Sequence, residues 1–139
     1  MPRYKVFISH AGTDTWVATQ IAAHVSKHAD TFLDEANVDF GDDFEAIILA
    51  QLRDSQEMVV LLTPWALHRP YIWLEIGAAW GQRKRIVGVL YGVAVDDINK
   101  LEHGPVLLKR LNLVEINDID RYFEQLAARI ARNGVGGTE

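Results

Sequence analysis

The chain has 139 residues, of which 49% are hydrophobic and 24% charged, and this balance predicts one globular domain with its own core. It contains no cysteine, which excludes a disulfide framework, a thiolate zinc site and a cysteine nucleophile. With a net charge of −5, no signal peptide and no membrane-length apolar run, we expect a cytoplasmic protein without nucleic-acid or membrane partners.

The first half of the chain predicts two strands and two helices. Residues 4–9 are short, β-branched and aromatic, which is typical of a strand. Asp14 then stands where it can cap a helix that runs to about residue 29. A strand at 31–34 follows, then an acidic loop at 35–43 whose spacing does not match a calcium loop, and a helix at 44–54.

The second half predicts three more strands, each followed by a helical segment or turn. Residues 58–63 form a continuous apolar run, which is typical of a strand buried on both faces. The further elements are a helix at 71–84, strands at 86–91 and 111–116, a short helix or turn at 96–102, and a final helix at 122–132 capped by Asp118. We expect a domain at 1–133 and a flexible tail or linker at 134–139.

This alternation indicates an α/β fold of the flavodoxin-like, doubly wound type. The expected sheet has five parallel strands in the order 2-1-3-4-5, with helices on both faces. Ligands of such folds bind beyond the carboxyl ends of the first and third strands, where the strand order reverses. The segments 9–14 and 63–65 lie there, so we expect the functional site at that edge.

Glu75 is the most informative residue, because it is the only charged residue in the apolar segment 71–82, which is predicted to be buried on most sides. A carboxylate there must be paired, open to a cleft, or altered in its protonation. One interpretation is a structural ion pair. The other is a single acid that orients a ribose and stabilises an oxocarbenium-like transition state. One carboxylate cannot supply the acid–nucleophile pair of an ordinary glycosidase, so the substrate would need a good leaving group of its own.

Three segments, in order and spacing, resemble the Toll/interleukin-1 receptor (TIR) domain in its bacterial form. Residues 4–10 (YKVFISH), followed by Asp14, resemble the first box of the family. Residues 32–34 (FLD), with Gly41 and Phe44, resemble the loop after its second strand. Residues 63–65 and 69–77 (TPW and RPYIWLEIG) resemble the helix that carries its glutamate, and the resemblance extends to about residue 132.

The resemblance implies an enzyme that cleaves NAD+ at the nicotinamide–ribose bond, either hydrolysing or cyclising the ADP-ribose product. It implies Glu75 as the catalytic carboxylate, with substrate-binding residues at Ser9, His10, Gly12, Asp34, Phe40, Tyr71 and Trp73. The family often has Trp four residues before the glutamate, where this chain has Tyr71, with Trp73 two residues before. NAD+ is the implied substrate, with no separate cofactor and no metal. The implied partners are further TIR protomers and a downstream effector in anti-phage defence of the Thoeris-like type.

Other readings of the same residues stay open beside this one. A non-catalytic TIR–TIR interaction module would leave Glu75 structural, and a nucleoside deoxyribosyltransferase would keep the glutamate but change the substrate. FMN binding at 9–15 is disfavoured because Asp14 would repel a phosphate, and a receiver domain lacks its acidic residues. His24 and His28 lack an evident third metal ligand, and residues 83–85 (RKR) are predicted to complement the end of the third helix.

Overall fold

The computed structural model describes residues 3–33, 43–102, 104, 106, 109 and 111–137, without the side chains of 44 and 133–137. Its strands are β1 Lys5–Ser9, β2 Asp30–Leu33, β3 Glu57–Leu62, β4 Arg85–Leu90 and β5 Asn112–Glu115. All neighbouring strands are parallel, and they form one sheet in the order β2-β1-β3-β4-β5. The predicted fold class and strand order are therefore confirmed.

Five α-helices whose bounds lie within the described residues cover the two faces of this sheet. They are α1 Thr15–Val25, α2 Phe44–Asp54, α3 Pro70–Gly81, α4 Val95–Asn99 and α5 Ile119–Gly137, with short 3₁₀ turns at Gly12–Asp14, Ala66–His68 and Ile116–Asp118. Helices α2, α3 and α4 pack on one face, and α1 and α5 pack on the other. In the described part of the chain, no helix combines the length and apolar character needed to cross a bilayer.

The core has two layers because successive side chains of a strand point to opposite faces. Met58, Val60 and Leu62 of β3 join the layer under α2 and α3, whereas Val59 and Leu61 join the layer under α1 and α5. Every residue of β3 is buried, as expected for the central strand of a parallel sheet covered on both faces. This rigid centre positions the strand ends where the candidate site lies.

The largest differences between predicted and observed helix ends are those of α1 and α5. Helix α1 ends at Val25, not near residue 29, because a turn at 26–28 returns the chain so that the Asp30 N–H can pair with the Tyr4 carbonyl. Helix α5 continues to Gly137, past the predicted end at 132.

The predicted side-chain cap at Asp14 is wrong: Asp14 occupies the N-cap position of α1, but its side chain makes no capping hydrogen bond to the helix. The carboxylate instead accepts a hydrogen bond from the Thr63 hydroxyl at 2.5 Å. The expectation that α3 is buried on most sides is also wrong. Tyr71, Leu74 and Trp80 are 46–58% exposed, because the sheet and α2 cover only one side of the helix.

A buried polar network closes the sheet at the edge where the strands begin. Glu57, the first residue of β3, is fully buried, and the hydroxyls of Tyr4 and Tyr122 donate to its two oxygens at 2.5 and 2.6 Å. The Arg129 guanidinium donates to the same oxygens at 3.1 and 3.0 Å. The network joins the first strand, the central strand and the last helix.

Candidate active site

The site lies at the edge of the sheet where the parallel strands end. Strands β1 and β3 are neighbours, but β1 leads into α1 on one face and β3 leads into α3 on the other. This divergence opens a crevice between the two connections, and it is the usual ligand site of doubly wound folds. Ser9 ends β1 there, and Thr63 directly follows β3.

Glu75 reaches this crevice from α3. The helix begins with Pro70 at its first position, where a missing N–H costs nothing, and Arg69 before it is extended. Glu75 is only 2% exposed, and its Oε1 accepts a hydrogen bond from the fully buried Ser9 hydroxyl at 2.6 Å. The carboxylate is thus held by a side chain from a different element.

A cavity of about 160 Å3 lies between α2 and α3 beside Glu75. Its lining is mostly apolar and consists of Glu45, Ile48, Leu49, Leu52, Tyr71, Leu74, Glu75 and Ala78. The Tyr71 hydroxyl donates to Glu45 Oε1 at 3.4 Å, which links the two helices across the cavity mouth. Few water molecules can screen a carboxylate in such a setting, so its charge acts strongly on anything bound beside it.

A second buried pair supports the same edge of the sheet. The Thr63 hydroxyl donates to Asp14 Oδ2 and accepts the backbone N–H of Ala66 at 3.1 Å. This pair links the turn after β1 to the turn after β3. The pair could not be predicted from the sequence because Asp14 and Thr63 are 49 positions apart. Glu45 was missed as well, although its spacing to Ile48 and Leu49 on α2 could have revealed it.

The structure brings some of the predicted site residues to Glu75 and places others elsewhere. Tyr71 lines the cavity with Glu75, and Ser9 contacts the carboxylate directly. His10 is buried, with its Nδ1 2.8 Å from the Ala11 carbonyl, and Gly12 is exposed in the 3₁₀ turn. Asp34 and Phe40 lie outside the described residues.

Trp73 projects from a different side of α3 than Tyr71 and Glu75. Its indole N–H donates to the Leu67 carbonyl at 2.8 Å, and its ring packs against the core layer under α3. A separation of two residues turns a side chain by roughly 200° around a helix, so Trp73 and Glu75 cannot share a face. Of the two aromatic candidates, the structure brings only Tyr71 into the cavity lining.

The histidine pair and the basic run have other surroundings. The His24 ring stacks on Phe123 with centroids 5.0 Å apart, and within the described ranges no three potential metal ligands lie together. Lys84 donates to the Arg53 carbonyl at the end of α2, and Arg85 lines a cavity beside α5. These two side chains thus have contacts with α2 and beside α5, in addition to their position just after the end of α3.

The fold and the crevice define an α/β protein with a buried carboxylate at the switch point of its sheet. The sequence profile of the TIR domain matches residues 6–130. The chain therefore belongs to the TIR domain family. Among curated proteins, no sequence matches it significantly.

Several solved structures are similar to this chain. A metazoan TIR-STING receptor from C. gigas is 24% identical, with a TM-score of 0.67 over 90% of this chain and 38% of that one. The TIR domain of the Toll-related receptor TRR-2 from Hydra magnipapillata is 19% identical, with a TM-score of 0.68 over 93% of this chain and 98% of that one. The CMP N-glycosidase BcmB from Clostridium botulinum is 15% identical, with a TM-score of 0.60 over 90% of this chain and 98% of that one. At these identities the likeness shows a common fold.

Proposed function

We propose that this protein cleaves NAD+ at the nicotinamide–ribose bond and that Glu75 is its catalytic carboxylate. The observation that carries the proposal is the position of Glu75, which is buried, held by the Ser9 hydroxyl and opens onto a cavity lined by an aromatic ring. Such a group is poised to stabilise positive charge that develops during a reaction. The membership of the chain in the TIR family supports the proposal.

The chemistry needs only one carboxylate because nicotinamide leaves as a neutral molecule. The bond between ribose C1′ and the pyridinium nitrogen breaks, and its electron pair neutralises that nitrogen. The ribose becomes oxocarbenium-like, and the Glu75 carboxylate stabilises its positive charge. Water then adds to C1′ and loses a proton to give ADP-ribose, or a nitrogen of the adenine adds to give a cyclic isomer. A general acid for the leaving group is not required.

The size of the cavity limits what can enter it. At about 160 Å3 it is smaller than ordinary ligand sites of roughly 300–1,000 Å3, so only the nicotinamide–ribose end of the substrate would enter. The structural similarity to a CMP N-glycosidase supports the class of reaction, since that enzyme is named for cleaving an N-glycosidic bond of a nucleotide. We infer that further protomers contribute to the site and that a downstream effector responds to the product in anti-phage signalling.

The test incubates NAD+ with wild type, Glu75→Gln and Glu124→Gln. Chromatography measures the rate at which each protein releases nicotinamide. We expect Glu75→Gln to lower the rate about 100- to 1,000-fold, which is typical when one preorganised electrostatic group is lost. Glu124 is an exposed acid on α5, in the other helical layer, so its variant should match wild type. The co-product peak distinguishes a hydrolase from a cyclase. Equal rates for Glu75→Gln and wild type would overturn the assignment.

A non-catalytic interaction module is the second candidate, and one observation favours it. Leu49, Leu74 and Trp80 on α2 and α3 are about half exposed, which is a large apolar contribution to one surface. This candidate predicts assembly as protein concentration rises, seen by sedimentation, with no nicotinamide release at any concentration. Release that increases per protomer with concentration would instead support an enzyme that is completed by self-association.

A further inference from the structure

A second cavity lies between α5 and the first residues of β4 and β5, at the edge of the sheet where the strands begin. Its volume is about 150 Å3. Arg85, Arg121 and Arg129 line it together with the amides of Asn112 and Gln125, and none of the described residues in its lining is Asp or Glu. The cavity thus concentrates positive charge and hydrogen-bond donors in a chain whose net charge is −5.

The fold brings these side chains together from three elements. Arg121, Gln125 and Arg129 are spaced by four residues on α5, so they lie along one face of that helix. Arg85 begins β4 and Asn112 begins β5, where Asn112 is the register partner of Val87. Arg85 and Val87 point to the same face of the sheet because they are two residues apart, and that face is covered by α5.

One of the three guanidinium groups is already neutralised. Arg129 makes a two-point contact with the buried Glu57 carboxylate, at 3.1 and 3.0 Å. Tyr4 and Tyr122 also donate to the oxygens of Glu57, so this carboxylate is saturated. Within the part of the chain that the structure describes, Arg85 and Arg121 have no carboxylate within 4.0 Å. Their positive charges are therefore available to a ligand.

We propose that this cavity binds a phosphate group, with Arg85 and Arg121 as its main ligands and the Gln125 amide as a further donor. The guanidinium group presents planar pairs of N–H donors that match the oxygens of phosphate. The cavity is far smaller than an ordinary ligand pocket, so it holds one such group and not a whole nucleotide. Inorganic phosphate and the terminal phosphate of a nucleotide share this chemistry.

The experiment is a calorimetric titration of inorganic phosphate into the full chain at constant ionic strength, with wild type, Arg85→Gln, Arg121→Gln and Arg132→Gln. We expect saturable binding at one site in wild type and about tenfold weaker binding in each of the first two variants, since each loses a charge-assisted contact. Arg132 is exposed on the same helix and does not line the cavity, so its variant should bind like wild type.

Two further arms complete the design. AMP and adenosine titrations identify the source of the phosphate group: competition by AMP but not by adenosine indicates a nucleotide, whereas binding of phosphate alone indicates the free ion. Glu75→Gln should bind phosphate like wild type, so the result is independent of NAD+ cleavage. Absence of saturable binding in wild type, or unchanged binding in both Arg85→Gln and Arg121→Gln with folding verified by thermal unfolding, would overturn the proposal.

Discussion

The Ser9 hydroxyl and the Glu75 carboxylate meet across 2.6 Å at the end of β1, and both side chains are almost completely buried. Ser9 was expected to bind substrate, but its hydroxyl is engaged with Glu75, which makes it a positioning residue under the proposed function. We expect Ser9→Ala to lower kcat for NAD+ cleavage about tenfold with little change in KM, because the carboxylate loses its orientation. Steady-state nicotinamide release measures both constants.

The Asp14–Thr63 pair provides the control for this prediction. It is also a buried hydroxyl–carboxylate contact at the same edge of the sheet, at 2.5 Å, but it does not involve Glu75. Thr63→Ala and Ser9→Ala should each lower the free energy of unfolding by about 1–3 kcal/mol, since each removes a hydrogen bond to a buried carboxylate. Only Ser9→Ala should lower kcat. An equal loss of kcat in both variants would mean that Ser9→Ala lowers kcat by destabilising the fold and not by changing the orientation of Glu75.

Individual residues were predictable from the sequence where the signal was local. Glu75 was recognisable because it is the only charge in an apolar helical segment. The role of Asp14 was not predictable, because a residue that could cap the next helix can equally bond a hydroxyl 49 positions away. Local spacing contains no information about which of the two partners the folded chain brings closer.

At the scale of one element, the rotation of α3 assigns different roles to its two aromatic candidates. Tyr71 precedes Glu75 by one helical turn and lines the same cavity, whereas the Trp73 indole N–H donates a hydrogen bond to the Leu67 carbonyl. If NAD+ cleavage occurs as proposed, Tyr71→Ala should raise KM for NAD+ about tenfold, because a stacking surface is lost. Tyr71→Phe, which keeps the ring, should stay within about twofold of wild type.

Trp73→Phe is the matched comparison on the same helix. It removes the indole N–H and should lower the free energy of unfolding by about 1 kcal/mol, measured by urea denaturation, while KM stays at the wild-type value. The opposite pattern, a raised KM in Trp73→Phe and an unchanged KM in Tyr71→Ala, would assign the aromatic contact to Trp73.

The strands were predictable to within a residue or two, since buried parallel strands are continuous apolar runs. The exposed face of α3 was not predictable, because the sequence of an apolar helix is the same whether or not a neighbouring element covers its outer side. Glu57 was missed for a related reason. It precedes the apolar run 58–63 and looks like a solvent-exposed end, yet Tyr4, Tyr122 and Arg129 enclose it in the fold.

At the scale of the whole molecule, the Glu57 network couples the stability of the fold to alkaline pH. Burial, the hydrogen bond to Glu57 and the charge of Glu57 raise the pKa of Tyr4 from 10.0 to about 12. Burial and the charge of Glu57 raise the pKa of Tyr122 as well. Burial alone would lower the pKa of Arg129, but its contacts with Glu57 and Tyr4 raise it overall, so the ion pair persists over the same range.

These directions fix the sign of the pH dependence. Above about pH 10 the tyrosines of the unfolded chain lose protons that Tyr4 and Tyr122 retain in the folded chain, so the free energy of unfolding falls as the pH rises toward 12. Tyr122→Phe should lower this free energy by about 1–3 kcal/mol at neutral pH, since buried Glu57 loses a donor. Above pH 10 the free energy of unfolding of Tyr122→Phe should fall less steeply than that of wild type, because the variant lacks one of the two tyrosine protons that the folded chain retains.

Urea denaturation at a series of pH values from neutral to strongly alkaline measures both effects at once. Lysines also titrate in this range, but they are identical in wild type and variant, so the difference between the two curves reports Tyr122 and its coupling to Tyr4. Tyr91→Phe is the matched control, because Tyr91 is exposed just beyond the other end of β4. It should reproduce the wild-type slope. A wild-type slope in Tyr122→Phe would mean that the Tyr122 proton is not retained by the folded state, and the network would then stabilise the fold without making it sensitive to alkali.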